Sequence, residues 1–118
     1  MKKKIYIAGK VTGEDQQQCI QKFEKAKDLL EVMGFEAVNP LEVVGDWNAS
    51  WQDAMKKCLK ALIDCDGIMM LDDWHFRKGA KIELELAFKL ELTVLSNHPP
   101  AGWIIDPNRK GYAGPNHI

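Results

Sequence analysis

No stretch of this sequence approaches the roughly 20 consecutive apolar residues that a membrane-spanning helix needs. The basic start, Met1-Lys2-Lys3-Lys4, leads into an apolar run that ends at Gly9, too short for the core of a secretory signal. A surplus of positive charge is also missing. Sixteen basic and 17 acidic side chains leave a formal net charge of -1 and a pI near 6.3. That excludes a broad basic field for a nucleic-acid polymer and leaves a small anionic partner open. Cysteine is scarce: Cys19, Cys58 and Cys65 show no CxxC or Cys/His spacing suited to zinc. They read as buried free thiols in a reducing, cytoplasmic compartment, and neither a metal nor a cofactor is expected. There is no internal repeat.

What the sequence does contain is the balance of an ordinary globular domain: 118 residues, 46% apolar and 28% charged. Ile5-Tyr6-Ile7-Ala8 is β-prone, and Gly9-Lys10-Val11-Thr12-Gly13 follows it as a glycine-bracketed loop. From about Asp15 to Met33, Ile20, Phe23, Ala26, Leu30 and Met33 recur at helical steps, with polar residues such as Lys22 elsewhere, up to a stop at Gly34. Phe35 to Val38 suits a second strand, ended by Asn39-Pro40, and residues 41–49 read as loop. Ser50 is a fit N-cap for a second helix with Trp51, Ala54, Met55, Cys58, Leu59 and Leu62 on one side.

Gly67 to Leu71 is apolar without alternation, as expected of a strand covered on both faces. A third helix over about Lys78 to Leu90 and a strand at Leu92 to Leu95 follow, with Trp103 to Ile105 as a plausible last strand. The alternation predicts an α/β fold: one parallel sheet flanked by helices, flavodoxin- or Rossmann-like, with ligands bound beyond the carboxyl ends of the strands. Residues 1–106 form that domain and residues 107–118 an extended tail.

On the third helix, Lys78, Lys81, Glu85 and Lys89 collect on one solvent stripe, where Lys81, Glu85 and Lys89 have the four-residue spacing that lets opposite charges meet. Glu83 lies about 200° around the axis from Glu85, among Gly79, Ile82, Leu86, Ala87 and Leu90. A carboxylate on a buried face needs a local donor, a raised pKa or a cleft opening onto it. One reading is a structural glutamate bonded within the fold; the other is a functional group.

Three stretches resemble the nucleoside 2-deoxyribosyltransferase superfamily, in particular its short, often phage-borne branch. They are Ile5 to Gly13, similar to the family's opening strand and ligand loop; Cys65 to Trp74, similar to its central strand; and Gly79 to Ala87, where the family has a glycine, its nucleophilic glutamate and an alanine. The resemblance covers roughly residues 4 to 95. It implies that Glu83 attacks C1′ of a (deoxy)nucleoside or nucleoside 5′-monophosphate and passes the sugar to another base or to water, by the logic of a retaining glycosidase. It also implies a homo-oligomer, since related transferases complete their sites with residues of an adjacent subunit.

In this picture Gly9, Lys10 and Val11 approach the sugar or phosphate, unless the loop is an ordinary turn. Trp74 either stacks on a base or closes the core. Asp72 and Asp73 are candidates for ribose hydroxyls or for the acid, and Gly79 leaves room for the sugar. Two positions depart from the family. Characterised transferases carry an acidic residue eight positions ahead of Asp66, where this chain has Cys58, and commonly serine or aspartate six before the nucleophile, where it has Arg77. Arg77 is either a 5′-phosphate ligand or a solvated side chain. The alternative to an enzyme is a nucleotide-sequestering protein with the same cleft.

Overall fold

The apolar run after Asp66 becomes the middle of the molecule. In this computed structural model, which describes residues 2–74 and 78–96 and the backbone of residues 103–104, all of Gly67–Met70 (β3) is buried. Lys4–Ala8 (β1) pairs with β3 on one side and with Glu36–Val38 (β2) on its other side; Thr93–Ser96 (β4) pairs with β3. These pairings are parallel, and Trp103–Ile104 (β5) adds antiparallel to β4, giving the order β2-β1-β3-β4-β5. That is the expected flavodoxin-like sheet with one reversed edge strand.

The helices are Gln16–Val32 (α1), Pro40–Val44 (α2), Trp51–Ile63 (α3) and Lys78–Lys89 (α4). Alternate residues of β3 feed two cores, which is why the run lacks polar alternation. Ile68 and Met70 pack with Tyr6, Cys58, Leu62, Leu84 and Ala87, whereas Met69 and Leu71 pack with Ile5, Ile7, Phe23 and Leu30 of the α1 side. Asp15 and Ser50 cap α1 and α3, each side chain accepting from the N–H three residues on. The three cysteines are buried and free.

The sequence reading of residues 41–49 as loop is corrected by the structure: α2 occupies the first part. The Asn39 side chain accepts from the Leu41 N–H at 3.0 Å, Pro40 takes the first helical position, and Gly45 closes the turn at φ 69°. These local caps suffice for one turn and a half, a length at which no hydrophobic period can register. Ile20 and Met33, placed on the inward face of α1 by periodicity, are exposed. Lys81, Glu85 and Lys89 are exposed as expected, and no ion pair joins them. The tail assigned to residues 107–118 lies outside the described residues. Among the described residues no helix is long and apolar enough to cross a membrane.

Candidate functional site

The pleat of β1 sends Tyr6 and Ala8 to the side of the sheet covered by α3 and α4, and α4 turns Gly79, Ala80, Glu83, Leu84 and Ala87 inward toward the same side. Tyr6 and Glu83 therefore meet. The tyrosine hydroxyl donates to Glu83 Oε2 at 2.6 Å, a buried bond between residues 77 positions apart in the chain. Burial pushes the Glu83 carboxyl up to about 7, against the Tyr6 hydroxyl, whose bond favours the charged form. Burial first, and then the Glu83 charge, raise the Tyr6 hydroxyl well above its ordinary value. The Cys58 thiol is within hydrogen-bonding reach of Tyr6, and burial pushes it up to about 11.

Glu83 lines a cleft of about 570 Å³. The loop between β1 and α1 forms one wall with Gly9, Val11 and Thr12; Asp46, Trp47, Trp51 and Met55 form another; Cys58 and Gly79 lie near Glu83 in the lining. Of the residues singled out in the sequence, Gly9, Val11, Gly79 and Glu83 line this space. A Cβ on Gly79 would stand 3.0 Å from Met55 Sδ, so its missing side chain serves the contact of α4 with α3 as well as the cleft.

Lys10, Asp72, Asp73 and Trp74 do not line the cleft. Lys10 donates its backbone N–H to Asp73 Oδ1 at 2.9 Å, which puts the first loop and the segment after β3 on the same sheet edge, as expected. The other Asp73 oxygen accepts from Lys22 Nζ at 2.7 Å, so both oxygens are engaged within the protein rather than turned to a ribose. Asp72 is exposed, and Trp74 packs half-buried against the core of Tyr6 and Cys58, the core-closing one of its two readings. Arg77 lies outside the described residues.

Tyr6, Asp46, Trp47, Trp51 and Met55 are site residues that sequence reasoning missed as such. A tyrosine in a β-prone run is unremarked until its partner is known, and Trp51 and Met55 fall on the apolar side of an ordinary amphipathic helix. Among the described residues, no group of three or more His, Cys, Asp or Glu side chains is placed to hold a metal ion. Residues 3–96 match the model of a family described as a domain of unknown function (DUF4406). No curated protein matches the chain.

Proposed function

This chain belongs to the DUF4406 family, and we propose that it cleaves or transfers at the N-glycosidic bond of a nucleoside or nucleoside 5′-monophosphate, with Glu83 as nucleophile. The observation that carries the reading is the buried Glu83 carboxyl in the cleft lining, held by the Tyr6 hydroxyl at 2.6 Å. Burial raises the carboxyl to about 7, so an ionised, poorly solvated carboxylate is still accessible at neutral pH to act as nucleophile. The likeness to nucleoside 2-deoxyribosyltransferases in the sequence points the same way.

In the proposed reaction a Glu83 oxygen bonds C1′ while the bond from C1′ to the base nitrogen breaks. The base leaves with the bonding pair and takes up a proton from water. The glycosyl ester then passes its sugar to water or to a second base, which regenerates the carboxylate. The Tyr6 hydroxyl holds one Glu83 oxygen, leaving the other for C1′. Trp47, Trp51 and Met55 offer the apolar surface on which a base packs.

A panel of nucleosides and their 5′-monophosphates, with and without a second free base, tests this by base release. Glu83→Gln is expected to lower release by several orders of magnitude while the fold persists, and Glu85→Gln, on the exposed face, to leave it unchanged. Wild-type turnover by Glu83→Gln overturns the mechanism. Cys58 favours a second reading, since a neutral thiol stands where characterised transferases carry an acid. A nucleotide-sequestering protein would bind members of the panel without releasing base, and Glu83→Gln would keep most of that affinity.

A further inference from the structure

Between residues 9 and 14 every residue except Lys10 lines the cleft. Lys10 is also the residue whose backbone is tied down from behind. Its N–H donates to Asp73 Oδ1 at 2.9 Å, and its carbonyl accepts from Lys22 Nζ at 2.6 Å. The same ammonium donates to Glu14 Oε1 at 3.1 Å and to Asp73 Oδ2 at 2.7 Å. Three acceptors match the three N–H donors of a lysine, and both Asp73 oxygens are occupied. The cluster thus joins α1, the β1–α1 loop and the segment after β3.

An ordinary surface ion pair would contribute little to such a loop. This one is partly withdrawn from water, with the Lys22 and Asp73 side chains each 23% exposed. Burial works against the charge on Lys22, but the bonds to Asp73 and Glu14 outweigh it and hold the group above the ordinary lysine value, so it stays an ammonium. Within the cluster the single Lys22 ammonium is shared between the carboxylates of Asp73 and Glu14. Its bonds fix the Lys10 backbone and the cleft-lining Glu14.

We propose that Lys22 and Asp73 are positioning residues, a clamp on Lys10 that sets the ligand-facing loop and thereby governs how tightly a ligand is held, without touching it. The proposal rests on the cleft reading given above, and it separates affinity from chemistry. Glu83 lies on α4 and is held by Tyr6 of β1, through a bond in which no clamp residue takes part.

The test uses the full chain with Lys22→Met, Asp73→Ala and the double variant. Amide exchange at Lys10, followed by NMR without any ligand, is expected to quicken about tenfold or more in Asp73→Ala, the scale of a lost hydrogen bond to a charged group. On a turned-over nucleoside, KM is expected to rise about tenfold with kcat within about threefold. The double variant should be no worse than the poorer single one, as for two members of one unit. Unchanged Lys10 exchange, a fall in kcat at constant KM, or additive effects overturn the clamp. The ligand-free arm keeps the two failures apart. A wild type that neither binds nor cleaves any nucleoside, with Lys10 exchange quickened in Asp73→Ala, removes the proposed function and leaves the clamp in place. Unchanged exchange removes the clamp whatever the turnover.

Discussion

In the cleft lining one hydroxyl helps decide how much of Glu83 is ionised. Burial raises the carboxyl to about 7, and the bond from Tyr6 opposes that rise. In Tyr6→Phe burial acts alone, so the pKa moves above 7. Hydrogen bonds to charged groups contribute about 1.5–3 kcal/mol, equivalent to about one to two pH units. The limb of the pH–rate profile that rises as Glu83 ionises should shift upward by about that much, with activity lost at pH 7 and recovered in alkaline solution. A limb that stays where it is in the wild type refutes the role of Tyr6. The contrast between Glu83 and Glu85 was legible in the sequence, because two residues apart on a helix face opposite ways. The occupation of Asp73 was not, because its partners are Lys10 and Lys22, 63 and 51 positions away.

At the scale of elements, β3 lies between β1 and β4, and its first residue shows how tightly the sheet is drawn together. Gly67 sits in register between Ile5 and Thr93. A Cβ there would stand 2.7 Å from the Thr93 carbonyl oxygen and 2.8 Å from Ile5 Cδ1. The carbonyl belongs to the backbone of a paired strand and cannot swing aside. Gly67→Ala should therefore destabilise the protein by about 1–3 kcal/mol, the usual cost of overpacking. Urea unfolding checks this: the midpoint should fall with the slope unchanged, and an unmoved midpoint refutes the close approach. The long elements could be read from the chain because α1, α3 and α4 have helical periods and β3 has an unbroken apolar run. The short α2 has neither, yet with the connection after it it brings Pro40, Leu41, Asp46 and Trp47 to the cleft wall.

For the molecule as a whole, the buried carboxyl links stability to pH. Glu83 has a folded pKa of about 7 against an ordinary value of 4.5, so the unfolded chain ionises first as pH rises. The contribution of this group to stability is full below about 4.5 and is lost as pH rises through 7, on the order of 3 kcal/mol in all. Glu83→Gln removes the titration. Its stability relative to wild type should climb between pH 4.5 and 7 and level off above, and urea unfolding at pH 4, 6 and 8 measures the climb; a difference independent of pH refutes it. The sequence by itself determined the succession of the longer strands and helices, the doubly covered central strand and the inward turn of Glu83, because backbone periodicity is a local property of the chain. Only the tertiary structure decided that Tyr6 reaches Glu83, that Lys22 and Asp73 close on Lys10, and that the α2 region walls the cleft. Those pairings depend on parallel strand order, which brings together side chains separated by tens of residues and leaves no period behind in the sequence.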